Sequence, residues 1–149
     1  MSLVFESKHF KIIVPDEPHI SRADGGHLII MPKTDIENRT KLSPEQAIEL
    51  MKLTMVAGEA VKTILTSKGI EIGRINYQDN GNWTPKLHIH IYGRAKNAVI
   101  QKYGTPLKFP ETKKEFQAYP SQPPLEESDI LEIGKEIARL LNTDKYKSF

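Results

Sequence analysis

Two histidines one residue apart, His88 and His90, lie in the stretch Lys86-Leu87-His88-Ile89-His90-Ile91-Tyr92-Gly93. Side chains alternate between the faces of a β-strand, so Lys86, His88, His90 and Tyr92 share one face and Leu87, Ile89 and Ile91 the other. The apolar set belongs in a core. The polar row, with steps of roughly 7 Å per two residues, faces solvent or a cleft. Residue type alone leaves three chemistries open. The row is the solvated face of an ordinary strand, or its imidazoles bind a metal with His27 as a third ligand. In the third reading an imidazole attacks or stabilises a phosphate, with Lys86 as a neighbouring cation and Gly93 letting the backbone approach closely.

Composition narrows the field. The chain of 149 residues is the length of one ordinary domain and can bury its own core. It has no cysteine, which excludes disulfides, thiolate zinc sites and thiol catalysis. Lys and Arg number 21 against 19 Asp and Glu, a net charge of +2 with no long basic block. Non-specific nucleic-acid binding, which works by counterion release from a clustered basic face, has no support. No apolar run approaches the roughly 20 residues of a membrane span, and Met1–Lys8 lacks the apolar region of a secretory signal. The sequence reads as that of a soluble cytoplasmic protein.

The elements that must hold the histidines follow from pattern. Phe10–Val14 is a β-branched run stopped by Pro15, and Asp16–Gly26 is a loop ending in an Asp-Gly-Gly turn. His27–Met31 is almost continuously apolar, which predicts a central strand buried on both faces. Ser43-Pro44-Glu45-Gln46 opens a long helix: Ser43 caps, Pro44 suits the first turn and Gln46 reaches back. Its apolar positions recur at three- and four-residue steps through Leu65, and Gly69 stops it. Ile70–Tyr77 and Leu87–Tyr92 are paired strands, with Asn80-Gly81 signalling a hairpin. Beyond Arg94 five prolines predict irregular structure, until an amphipathic helix over Ser128–Asn142. This succession is that of an α+β fold on an antiparallel sheet.

The segment Thr84 to Arg94 resembles the signature of the histidine-triad (HIT) family, three histidines alternating with apolar residues. In that register His90 is the third histidine, His88 the middle one, and Lys86 occupies the place of the first. Gly25-Gly26-His27-Leu28-Ile29-Ile30-Met31-Pro32-Lys33 resembles the family's Gly-His-apolar-Pro-Lys segment, and the capped helix follows where the family has one. The likeness covers roughly residues 5–94 of a single domain, with 95–149 as a C-terminal extension.

The resemblance implies a HIT-like sheet of about five strands with one long helix and a C-terminal helix, paired as a homodimer. It implies a nucleotide hydrolase or nucleotidyl transferase whose middle histidine, His88, attacks the α-phosphorus of a dinucleoside polyphosphate or nucleoside phosphoramidate. His90 and His27 then donate to phosphate oxygens, and Lys86 neutralises phosphate as a point charge. Gln78, Asn76, Thr84 and Trp83 are the candidate substrate contacts. Neither a metal nor a cofactor is implied, and the expected partner is a small nucleotide rather than nucleic acid or membrane. Because Lys86 breaks the triad, the alternative is a nucleotide-binding protein with weak or no catalysis. His9 and His19 match no motif and are assigned no role.

Overall fold

The computed structural model describes residues 1–149. Five strands, β1 (Ser2–Glu6), β2 (Phe10–Val14), β3 (His27–Pro32), β4 (Ile72–Gln78) and β5 (Ile89–Ala95), form one antiparallel sheet in the order β1-β2-β3-β5-β4. A long helix, α1 (Pro44–Ser67), links β3 to β4. Three more follow β5: α2 (Lys113–Ala118), α3 (Glu127–Leu141) and α4 (Asp144–Lys147). This is the expected α+β architecture.

The entry to α1 is as its sequence predicts. The Ser43 hydroxyl accepts from the Gln46 amide at 3.2 Å, and the Gln46 side chain accepts from the Ser43 amide at 2.9 Å. Gly69, at φ +88°, closes the helix in a conformation that favours glycine. The buried stripe of α1 runs through Leu50, Leu53, Val56, Ala57, Ala60, Val61 and Leu65, and packs with Leu28, Ile30, Ile89 and Ile91 of the sheet.

β3 is central, but it is not buried equally on both faces. Leu28 and Ile30 are fully enclosed against α1, whereas Ile29 and Met31 are half-buried on the opposite face. That face is the floor of a cleft.

One strand lies outside the expected set, and two further expectations need correction. β1 carries no sequence pattern of its own, because as an edge strand with Ser2, Leu3 and Glu6 exposed it has little to bury. Asn80-Gly81 does not make a tight hairpin: ten residues separate β4 from β5, with Gly81 at φ +65°. Pro85 cannot donate to a sheet ladder, and the segment is tied elsewhere: Arg39 bonds Asp79 at 2.8 Å, and the Leu87 amide bonds the Ile36 carbonyl at 2.8 Å. The proline-rich stretch also holds α2, whose Thr112–Glu115 capping box is visible as Thr-x-x-Glu in the sequence.

The C-terminal extension is bound into the same core. Leu125, Ile133, Ile137, Leu140 and Tyr146 join the cluster formed by the sheet and α1. Asp129, with no exposed surface, bonds Arg22 at 2.6 Å, Lys68 at 2.9 Å and the Glu126 amide at 2.8 Å. Burial pushes its carboxyl up, but the two cations and the amide outweigh burial and hold it at about 2. Asp24 accepts the amides of Val99, Ile100 and Gln101 at 2.8–3.0 Å, fixing the start of the extension to the β2–β3 connection.

Candidate functional site: an imidazole relay above the sheet

Antiparallel pairing of β3 with β5 sets His27 opposite Tyr92 and Ile29 opposite His90. His27, His90 and Tyr92 therefore share the face away from α1, with His90 and Tyr92 stacked nearly parallel at 5.6 Å. The β2–β3 connection folds back over them, so that the His19 amide donates to His27 Nδ1 at 3.1 Å. A backbone N–H can only donate, which leaves the ring proton of His27 on Nε2. From there it points to His90 Nδ1, 2.9 Å away. His90 thus accepts on Nδ1 and carries its own proton on Nε2.

The relay is uncharged. Burial, then the neighbouring imidazoles of His19, His90 and His88, pushes the His27 pKa well below its ordinary value. Burial followed by repulsion from His19 and His88 brings His90 down to about 3. Both rings are neutral at pH 7 and present N–H dipoles rather than ions.

His88 is set differently. Its Nδ1 lies 2.6 Å from the carbonyl oxygen of Lys86, so the ring donates from Nδ1 and keeps its free lone pair on Nε2. The orienting group is main chain. The Lys86 ammonium turns outward to Asp35 at 3.3 Å, both groups largely in solvent.

His88 and His90 stand where two lobes of the cleft meet. One, of about 290 Å³, is lined by Gln78, Asn80, Trp83, Tyr92, Phe109 and Glu111. The other, of about 560 Å³, is lined by Lys11, Ile29, Met31, Lys33, Thr84 and Lys86. Trp83 borders both and stacks on Phe109 at 5.1 Å, with Phe116 at 5.8 Å.

Of the residues singled out in the sequence, His88, His90, Lys86, Gln78, Thr84 and Trp83 line this cleft, and His27 lies beneath it. Asn76 does not reach it; its side-chain oxygen accepts from Arg94 at 2.8 Å, and Arg94 in turn holds the carbonyls of Lys102 and Thr105. Gly93 permits a close approach, but to protein. A Cβ there would stand 2.0 Å from the Gly25 carbonyl oxygen, and one on Gly25 would stand 1.9 Å from the Gly93 carbonyl oxygen.

Sequence reasoning missed His19. Its ring lies 4.6 Å from that of His27 and 4.8 Å from that of His90. A loop histidine outside any periodic pattern gives no signal. His19, His27 and His90 are also the three side chains whose ligand nitrogens lie within 4.8 Å of one another. That is not the His27–His88–His90 set considered for a metal. A metal on His27 Nε2 would require the ring proton on Nδ1, where the His19 amide already donates, so the polarity favours a hydrogen-bonded relay.

Residues 1–97 match the HIT domain family model, and the chain belongs to that family, whose members are of nucleotide-binding or nucleotidyl-transfer type. The fold recurs in solved structures of HIT proteins at low sequence identity. A histidine triad protein from Sinorhizobium meliloti aligns at 16% identity and TM-score 0.64, over 93% of this chain and 87% of the other. One from Marinobacter aquaeolei aligns at 18% identity and TM-score 0.64, over 93% and 89%. A hypothetical histidine triad nucleotide-binding protein from Sulfolobus tokodaii aligns at 20% identity and TM-score 0.60, over 93% and 85%. No curated protein matches the sequence. No helix is long and apolar enough to cross a membrane.

Proposed function

We propose that this protein binds a nucleotide across the His88–His90 face and transfers its nucleotidyl group through His88, to water or to a second acceptor. The observation that carries this reading is the pair of fixed tautomers: a free lone pair on His88 Nε2 beside an N–H on His90 Nε2. In the first step His88 Nε2 forms a bond to the α-phosphorus. The bond to the leaving group breaks, and the leaving group departs with that electron pair, taking any proton it needs from solvent. The His88 ring keeps its Nδ1 proton, so it becomes cationic and the Lys86 carbonyl stabilises it. In the second step water attacks phosphorus, the P–N bond breaks, the electron pair returns to His88 Nε2 and the water proton passes to solvent. His90 holds a phosphate oxygen throughout, and Gln78, Thr84 and Trp83 contact the substrate in the two lobes.

The test is incubation with diadenosine tetraphosphate and adenosine 5′-phosphoramidate, with turnover followed by chromatography and the quenched protein by mass spectrometry. The expected result is a nucleotidyl adduct on His88 and a loss of turnover on the order of 10⁴-fold or more in His88→Ala. Equal turnover by that variant overturns the reading.

A second reading, nucleotide binding without turnover, is favoured by one observation. The Lys86 ammonium is engaged with Asp35 rather than with His88, so no first imidazole stands beside the nucleophile. It predicts calorimetric binding of adenosine monophosphate with no adduct at His88.

A further inference from the structure

The β2–β3 connection supplies a fourth imidazole that no motif announces. His19 meets Phe109 edge-on at 4.2 Å and Phe116 at 5.1 Å on one side, and faces His27 and His90 on the other. Its Nδ1 lies 2.7 Å from the Tyr92 hydroxyl, which has no other partner. Burial pushes the Tyr92 phenol well above its ordinary pKa, so it keeps its proton, and with no other acceptor in reach that buried proton is satisfied only by donation to Nδ1. The neutral His19 ring then carries its own proton on Nε2. That N–H meets no protein acceptor, and the ring lines both lobes of the cleft together with His88 and His90.

We propose that His19 is a catalytic residue of the same site, its Nε2–H donating beside that of His90 to a non-bridging oxygen of the phosphoryl group at His88. The proposal rests on the nucleotidyl-transfer reading above. A phosphoryl group in transfer spreads its charge over three oxygens, and donors fixed beforehand stabilise it at little reorganisation cost. His90 supplies one such donor. The position that would supply a first triad imidazole holds Lys86, whose ammonium lies 3.3 Å from Asp35. His19 supplies the second donor from a different element. Burial, followed by repulsion from His88, lowers its pKa to about 4, so it donates as a neutral ring at pH 7.

His19→Phe keeps a ring against Phe109 and Phe116 but removes the N–H; His19→Gln keeps a donor without the ring. The double variant His19→Phe with Tyr92→Phe spares the phenol an unpaired buried hydroxyl. With adenosine 5′-phosphoramidate at pH 7, both phenylalanine variants are expected to lose about 10²-fold or more in kcat with KM within about threefold. His19→Gln is expected to recover about tenfold of that loss. A kcat within threefold of wild type for His19→Phe, or a glutamine variant no better than phenylalanine, overturns the proposal and leaves His19 as packing. Absence of a His88 adduct in the wild type is the separate failure of the transfer reading. In that case adenosine monophosphate affinity decides on His19: a tenfold loss in His19→Phe restored by glutamine supports the phosphate contact, and equal affinity overturns it.

Discussion

The two ends of the cleft are built on opposite principles. At the inner end His27, His90 and His19 are packed, neutral and ordered by a backbone amide, which can only donate, and by a buried phenol whose one partner is His19. At the outer end Lys86 and Asp35 are charged, exposed and paired in solvent, where an ion pair contributes about 0–1 kcal/mol. The inner end fixes proton positions; the outer end only biases charge. Chemistry that depends on which nitrogen carries a proton belongs at the inner end, and Lys86, which stands where the family resemblance puts a first histidine, lies at the outer one.

The largest blow to the inner end comes from behind it. Gly93→Ala drives a methyl into the Gly25 carbonyl, and the β2–β3 connection carrying His19 must move. Overpacking of this kind costs about 1–3 kcal/mol or more. Chemical denaturation is expected to show that loss, with turnover falling further than stability alone accounts for. An unchanged midpoint would mean the glycine contact is slack.

Acid sharpens the contrast next. His19 and His90 titrate in the folded protein at about 4 and about 3, below the ordinary histidine value, and His27 is lowered too. Between pH 6.5 and 4 the unfolded chain therefore binds protons that the native state refuses. Stability is full above pH 6.5 and falls as pH drops, by up to about 1.4 kcal/mol per pH unit for each such histidine. A thermal midpoint constant from pH 7 to pH 5 would contradict the buried relay. The smallest effect is expected at the outer end: Lys86→Met keeps the carbonyl that orients His88, and adduct formation should stay within about threefold of wild type. A hundredfold loss would move Lys86 from the rim to the reaction.

The same division explains what the sequence disclosed. α1, β3 and α3 were legible because burial on one side imposes a period, and β5 because Ile89 and Ile91 alternate with His90 and Tyr92, although the strand begins at Ile89 rather than at Leu87. The ten-residue β4–β5 connection was not legible, since Asn80-Gly81 specifies a local turn but the Leu87–Ile36 and Arg39–Asp79 bonds that set its course are distant. α2 was written in a capping box and obscured by surrounding prolines. His27 and His90 could be placed from the register of two strands, with His88 just ahead of the second. His19 could not, because a loop side chain is positioned by Tyr92, Phe109 and Phe116, which are 73, 90 and 97 residues away by the numbering.

Asp24 and Arg22 make the loop and the C-terminal extension depend on each other. The loop that delivers His19 is tied through them to residues 99–101 and to Asp129 of the extension. A truncation that removed the extension would take the partners of Asp24 and Arg22 from the loop, and a shortened loop would leave the buried Asp129 with Lys68 as its one cation. The two segments therefore stand or fall as one structural unit, although more than 70 residues of sequence separate them.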